Sequence, residues 1–290
     1  MKKKSKSLFY VGGCSGTNSP TFPRNEFGNL TTAFGILTGK RGVFIDNGSG
    51  VGKVSSYLME NEVNEVYGLQ THFHLDHRLG MPLNELLFVK DLVKGFYAPK
   101  LSRRSFKSLF QADFGKETWP IAPTGISIVE FKPGKELDTP FNVKTLLLNH
   151  PGDYPSGGSI AYRITTPDGD IVIATDGEPV GEHAIKMAEF VSGCALLYID
   201  VQYRQGEYDG NLAICDKKAM SRKGWGHGTP EMLFDVMRNC AVTPKKVIVG
   251  HHDPARTTQD LYLFEQEIKN HLIGFRAVIE FAREGVAIEI

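Results

Sequence analysis

The chain has no apolar stretch approaching the ~20 residues that a membrane-spanning helix requires, which argues against an integral helical membrane protein. It also lacks an excess of charge of either sign. Its 33 Lys and Arg residues balance 33 Asp and Glu residues, so no overall field draws it toward nucleic acid or an anionic membrane, and a long polyanion is not the expected partner. Cysteine is scarce. The four present, Cys14, Cys194, Cys215 and Cys240, are scattered without a CxxC pair, which argues against a structural zinc knuckle or a redox motif and leaves buried free thiols as the expectation. Repeats, low-complexity segments and long Pro/Gly/Ser linkers are missing too. The expectation is one domain over residues 1–290, with 1–7 a flexible N-terminal tail. Met1-Lys2-Lys3-Lys4 ahead of residues 8–11 and Cys14 faintly resembles a lipoprotein signal, but Gly12 and Gly13 break the apolar run, and a first β-strand suits it better. Cytoplasmic residence is then the default expectation.

What is present is an alternation of short strands and amphipathic helices, with 41% apolar residues to fill a core. β-branched runs ending in turn residues predict strands over 8–11, 31–37, 43–45, 66–69, 126–131 and 143–148. Further strands are predicted over 159–164, 171–174, 195–199, 247–249 and 278–280. Helical periodicity predicts helices over 53–61, 104–112, 181–191, 230–240 and 258–272. Thr229 is the expected N-cap of the fourth helix, with Pro230 at its first position. Two mixed sheets packed face to face with helices outside accommodate this order.

Four ligand-type residues, His72, His74, Asp76 and His77, fall within six positions directly after the apolar strand 66–69. Alternate residues on an extended segment point the same way, so His72 and His74 can share one metal ion. Arg78-Leu79-Gly80 then bends the chain, turning Asp76 and His77 toward a second position. Distant candidates stand at other strand ends. His150 closes 143–148 ahead of Pro151-Gly152, and Asp176 closes 171–174, where its carboxylate could bridge two ions. His251 and His252 follow 247–249. Their adjacent side chains diverge, so one binds metal; His251 is the choice, with His252 and Asp253 orienting the site or the substrate.

With these residues in place, the sequence resembles the metallo-β-lactamase superfamily, whose HxHxDH motif is matched by His72-Phe73-His74-Leu75-Asp76-His77. The resemblance implies an αββα sandwich, two mixed β-sheets flanked by helices. It implies His72, His74 and His150 on one metal, Asp76, His77 and the final histidine on the other, and Asp176 bridging. Phe44-Ile45-Asp46-Asn47-Gly48 resembles the family's acidic turn, with Asp46 supporting the ligands from behind. Gly12 to Pro20, Asn149-His150-Pro151-Gly152, Asp200-Val201-Gln202-Tyr203, Trp225-Gly226-His227-Gly228-Thr229 and Gly250-His251-His252-Asp253-Pro254 resemble the branch of ribonuclease Z and the cyclic-nucleotide phosphodiesterases. Leu75 and a lengthened loop over Asp153 to Gly157 depart from it. The branch's tRNA-gripping arm lies between the residues matching His150 and Asp176, an interval too short here to hold one.

Two divalent ions lower the pKa of a bridging water, so that hydroxide is available near neutral pH for in-line attack on a phosphodiester. His227, between glycines, is the candidate acid for the leaving alkoxide, beside Asp76 as ligand and catalytic residue. Tyr203 and Arg204 are candidate substrate contacts; His183 and His271 sit in helices without ligand context. The resulting expectation is a phosphodiesterase acting on a nucleotide or another small phosphodiester with two zinc ions, manganese and iron being compatible with the same ligands. Lactamase- or lactonase-type carbonyl hydrolysis, ribonuclease Z-like RNA processing and a non-catalytic metal-binding sensor are the alternatives. A homodimer is compatible with the family, though no stretch identifies an interface.

Overall fold

A computed structural model describes residues 6–101, 105–115, 119–151, 158–215 and 217–290. The first half builds one seven-stranded sheet, β1 (Leu8–Gly13), β2 (Ala33–Thr38), β3 (Arg41–Ile45), β4 (Glu65–Leu69), β5 (Val93–Pro99) and β6 (Ile128–Phe131), to which β14 (Ala287–Glu289) adds itself beside β1. The second sheet also has seven strands, in the order β13 (Val278–Phe281), β12 (Lys246–Gly250), β11 (Leu196–Asp200), β10 (Gly169–Ala174), β9 (Ser159–Thr166), β8 (Val143–Leu148) and β7 (Glu136–Leu137). Each sheet is mixed. β3 to β6 run parallel, as do β10 to β13, whereas the other neighbours are antiparallel.

The period-2 alternation of the strands decides what each face buries. On β10, Ile171 and Ile173 point toward the first sheet while Val172 and Ala174 point to the helices; on β12, Ile248 points inward and Val247 and Val249 outward. Phe9, Phe34 and Ile36 of the first sheet meet Tyr198, Ile171 and Ile248 of the second in a shared inter-sheet core. Outside the second sheet lie α3 (Glu182–Val191), α5 (Pro230–Asn239) and α6 (Thr258–His271), which contribute Met187, Leu233, Val236, Leu261 and Phe264 to the outer layer. Outside the first lie α1 (Val51–Glu60) and α2 (Phe106–Asp113), through Val54, Leu58, Phe106 and Phe110. This is the αββα sandwich. Thr229 caps α5 as expected, its hydroxyl accepting the Met232 N–H at 3.3 Å.

Several elements escape the sequence pattern. β5 carries Lys94 and Gly95 inside it, β7 and β14 are two or three residues long, and the five-residue α4 (Gln205–Asp209) is too short for periodicity. Ser7, expected in a loose tail, is buried, and its N–H and hydroxyl both donate to Asp168 at 2.7 and 2.8 Å. Among the thiols, Cys14 and Cys194 are buried as expected, but Cys215 is exposed. Arg104, the expected start of the second helix, and the loop Asp153 to Gly157 lie outside the described residues. Among the described residues no helix is long and apolar enough to cross a membrane.

Candidate metal centre

The parallel strands of both sheets deliver their carboxyl ends to the same edge of the sandwich, the place where open α/β sheets present ligand-binding side chains. β3 ends at Asp46, β4 runs into His72 to His77, β10 into Asp176, β11 into Asp200 and β12 into His251. Asp46, Asp176 and His251 adopt left-handed backbone with φ of 59°, 58° and 59°. L-residues avoid that region, and its use at three converging strand ends marks a place where tertiary structure overrides local preference. Gly250 supplies room rather than a bend. A Cβ there would stand 1.9 Å from the Tyr198 hydroxyl, which accepts the His251 N–H at 3.0 Å.

Two groups of donor atoms form at this edge. His72, His74 and His150 make one, with His150 Nε2 facing His74 Nδ1 at 3.1 Å and His72 Nε2 facing Asp176 Oδ2 at 3.7 Å. Asp76, His77, Asp176 and His251 make the other. His77 Nε2 stands 3.4 Å from Asp76 and 3.2 Å from Asp176 Oδ1; His251 Nε2 stands 3.3 Å from both Asp76 and Asp176 Oδ2. Asp176 therefore faces both groups, with one oxygen toward His77 and the other toward His72, His150 and His251. The Nε2 atoms of His72 and His77 are buried without a hydrogen-bond partner. Such orphans are costly unless something else satisfies them, and imidazole nitrogens converging on carboxylates are the donor set of zinc and its first-row neighbours. The cluster is thus of a composition and burial compatible with metal ions.

The opposite nitrogen of most rings is held from outside, as metal-binding imidazoles require. His77 Nδ1 lies 2.7 Å from Asp46 Oδ2, His150 Nδ1 lies 3.0 Å from the Gly226 carbonyl, and His251 Nδ1 lies 3.2 Å from Gln202 Oε1. Asp46 also accepts from the Thr71 N–H, the Thr71 hydroxyl and the Gln70 amide. Burial holds the His72 ring well below the usual imidazole range and pushes His150 down to about 3. Burial opposes charge on His77 and His251 as well, but there the carboxylates prevail: Asp176, Asp76 and Asp46 raise His77 well above its ordinary value, and Asp176, Asp76 and Asp200 raise His251 to about 9.

His227 stands at the mouth of the cluster, its ring 5.3 Å from His150 and stacked 4.9 Å from His251. Its Nδ1 lies 2.6 Å from Asp200 Oδ2, so a buried carboxylate orients the imidazole. It is not a helix cap, since Thr229 performs that role. Above the cluster opens a cleft of about 570 Å³ whose walls include Leu75, Pro151, Tyr203, Trp225 and His227. No Lys or Arg is among its described lining residues.

Other expected site residues fall elsewhere. Tyr203 reaches the cleft, packed on His227 at 5.8 Å, but Arg204 is taken up by Glu207, Asp260 and Glu267. His252 turns away. Its Nε2 lies 3.1 Å from the Ala282 carbonyl and its ring stacks on Phe281, where burial and nearby Arg24 push it down to about 3; the expected orienting role is corrected to packing. Asp253 pairs with Lys217 and, among the described residues, touches the site through Gln202, whose amide donates to it at 3.5 Å. His183 and His271 are exposed on α3 and α6. Gln70 and Glu178 carry no mark in the sequence, and Asp200 and Gln202 appear there only within the motif Asp200-Val201-Gln202-Tyr203, with no role of their own. Only Asp200 carried a signal, an acidic residue at a strand end.

No family model matches the chain. A ribonuclease Z from Nocardia farcinica is 27% identical over 187 residues, which span 61% of this chain and about half, 55%, of that protein. The metallo-β-lactamase fold protein YhfI from Bacillus subtilis superimposes with a TM-score of 0.68 at 17% identity, covering 98% of this chain and all of that one. A diphosphatase from the PhnP family superimposes with a TM-score of 0.64 at 14% identity over 99% and 98% of the two chains. The chain has the metallo-β-lactamase fold, with its HxHxDH segment at the shared edge of the two sheets.

Proposed function

We propose that the protein is a dinuclear metal-dependent phosphodiesterase acting on a nucleotide or another small phosphodiester. His72, His74 and His150 hold one ion, Asp76, His77 and His251 the other, and Asp176 bridges. Zinc is the expected metal. When bound, the two ions supply acidified water and positive charge against the phosphoryl oxygens. The observation that carries the phosphodiester reading is His227 on Asp200, a histidine oriented by a buried carboxylate at the open side of the metal cluster. Asp200 holds Nδ1, leaving Nε2 to give its proton to the departing oxygen. An alkoxide expelled from a phosphodiester is strongly basic and needs that proton. The resemblance to proteins named a ribonuclease and a diphosphatase supports chemistry at phosphorus.

The likeness to ribonuclease Z favours RNA as a second reading, but three observations weigh against it. The chain is electrically neutral, the described lining of the cleft has no Lys or Arg, and the span from His150 to Asp176 is largely taken up by β9 and β10. The test is turnover by the zinc-loaded protein of bis-p-nitrophenyl phosphate against nitrocefin, lactones and a tRNA precursor. Hydrolysis of the phosphodiester is expected. Cleavage of nitrocefin or a lactone with the phosphodiester left intact would overturn the reading, and so would exclusive cleavage of the tRNA precursor.

A further inference from the structure

Trp225 is 45% exposed at the cleft wall. An exposed aromatic is ordinary; one held this firmly is not. Glu178, buried two residues beyond Asp176, accepts the N–H of Gly224 at 3.2 Å with one carboxylate oxygen and the N–H of Gly226 at 3.0 Å with the other. One carboxylate thus fixes the backbone on both sides of the tryptophan, and the Tyr208 hydroxyl, donating at 2.5 Å, fixes that carboxylate. Gly226 adopts φ of 84°, and a Cβ there would stand 2.1 Å from His150 Nδ1, so this loop lies hard against the metal cluster.

The ring is held as well as the backbone. The Arg222 guanidinium lies 4.3 Å from the Trp225 ring centroid and 5.9 Å from that of Tyr203, while the backbone N–H of Trp225 donates to the Arg222 carbonyl at 3.0 Å and ties the two residues into one turn. Arg222 is only 7% exposed, and among the described residues no carboxylate pairs with it. A buried cation committed to a ring face stiffens and orients that ring. The remaining exposed part of the indole belongs to the cleft. The other walls, Leu75, Pro151 and Tyr203, offer apolar and aromatic surface. Among the described walls, recognition of the part of the substrate remote from the reacting phosphorus therefore falls to stacking and apolar contact.

We propose that Trp225, backed by Arg222 and clipped by Glu178, is a stacking platform for a planar group of nucleobase size carried by the substrate phosphoester. The platform rests on the phosphoester reading of the site and narrows it to substrates with an aromatic ring. It discriminates weakly between bases, since every base offers a π face.

The experiment titrates zinc-loaded protein with adenosine 5′-monophosphate and with ribose 5-phosphate, which share the phosphate and sugar and differ in the base. A Trp119→Phe background leaves Trp225 as the sole indole, and calorimetry gives the affinities. The expected result is binding of the nucleotide about ten-fold tighter than the sugar phosphate, with quenching of Trp225 emission by the nucleotide alone. Trp225→Ala should abolish that preference while changing sugar phosphate affinity less than two-fold, and Trp225→Phe should keep most of it. Arg222→Gln should reduce it with folding verified by circular dichroism. Equal affinities, equal weakening of both ligands by Trp225→Ala, or no binding of the nucleotide would overturn the platform. Turnover of bis-p-nitrophenyl phosphate is read separately. Absent turnover with the nucleotide preference intact would overturn the phosphodiesterase reading and leave the platform standing.

Discussion

The carboxylate of Asp46 and Nδ1 of His77 lie 2.7 Å apart with both side chains fully buried, beneath the His/Asp cluster rather than within it. The carboxylate raises the basicity of the ring and fixes which nitrogen faces Asp76 and Asp176. Asp46→Asn keeps the shape and removes the charge. Zinc affinity at the His77 position is expected to fall about 10- to 100-fold, as measured by competition with a chromophoric chelator. Unchanged affinity would leave Asp46 a purely structural residue.

His227 and Asp200 should act as one unit. With His227→Ala, kcat is expected to fall about 10²- to 10⁴-fold for an alkyl leaving group and much less for p-nitrophenolate, which departs without a proton. Asp200→Asn should give the same pattern in weaker form. A uniform loss across leaving groups would remove the acid assignment, whereas the metal content of His227→Ala should match the parent protein.

Metal binding should release protons. The carboxylates around them raise His77 above the usual imidazole range and His251 to about 9, which favours the charged rings that must lose a proton to bind an ion. Calorimetry in buffers of differing ionisation enthalpy should show a net release of protons at pH 7.5. A raised pKa also has a sign for folding. His251 adds stability to the metal-free fold that is fully present below its ordinary 6.5 and is lost as pH rises through about 9. Asp76, held well below the carboxylate range against its burial by His77 and His251, contributes in the opposite direction, losing its share only in strong acid. The metal-free protein should therefore melt at lower temperature at pH 9.5 than at pH 6.5, a difference that zinc reduces. A melting temperature that rises over this interval would contradict the charge assignment.

Gly226→Ala tests the loop that joins the cleft wall to the cluster. A methyl group there meets His150 Nδ1 and sits on left-handed backbone. The cost is expected to be about 1–3 kcal/mol in a denaturant melt, together with loss of zinc at the His150 position. Unchanged zinc stoichiometry would uncouple this loop from the metal site.

Much of this site can be read in the sequence because strands announce their own ends. His72, His150, Asp176 and His251 each follow a short apolar run, and the runs of β10 and β12 are apolar throughout because both of their faces are buried. What resists reading is set by contacts between distant segments. Glu178 looks like any acidic loop residue until the fold brings Gly224 and Gly226, 46 and 48 residues later, against it. Gln70 and Gln202 carry no charge or periodicity to mark them. His252 differs from His251 only in which way the backbone turns, a fact that the left-handed φ of His251 decides. β5 is hidden because Lys94 and Gly95 break its apolar pattern, although its pairing with β4 and β6 buries the rest of it.

Asp46, Asp176 and His251 all emerge from their strands through left-handed backbone, so the chain itself aims these three side chains. In the proposed metal centre a cage of that kind would work as a gauge, ranking ions by how well their radius and preferred geometry suit a fixed set of donors. Zinc, cobalt and manganese should therefore occupy the same positions with little movement of the protein, and differences in rate between the metal forms should reflect the chemistry of the ion rather than a rearranged site.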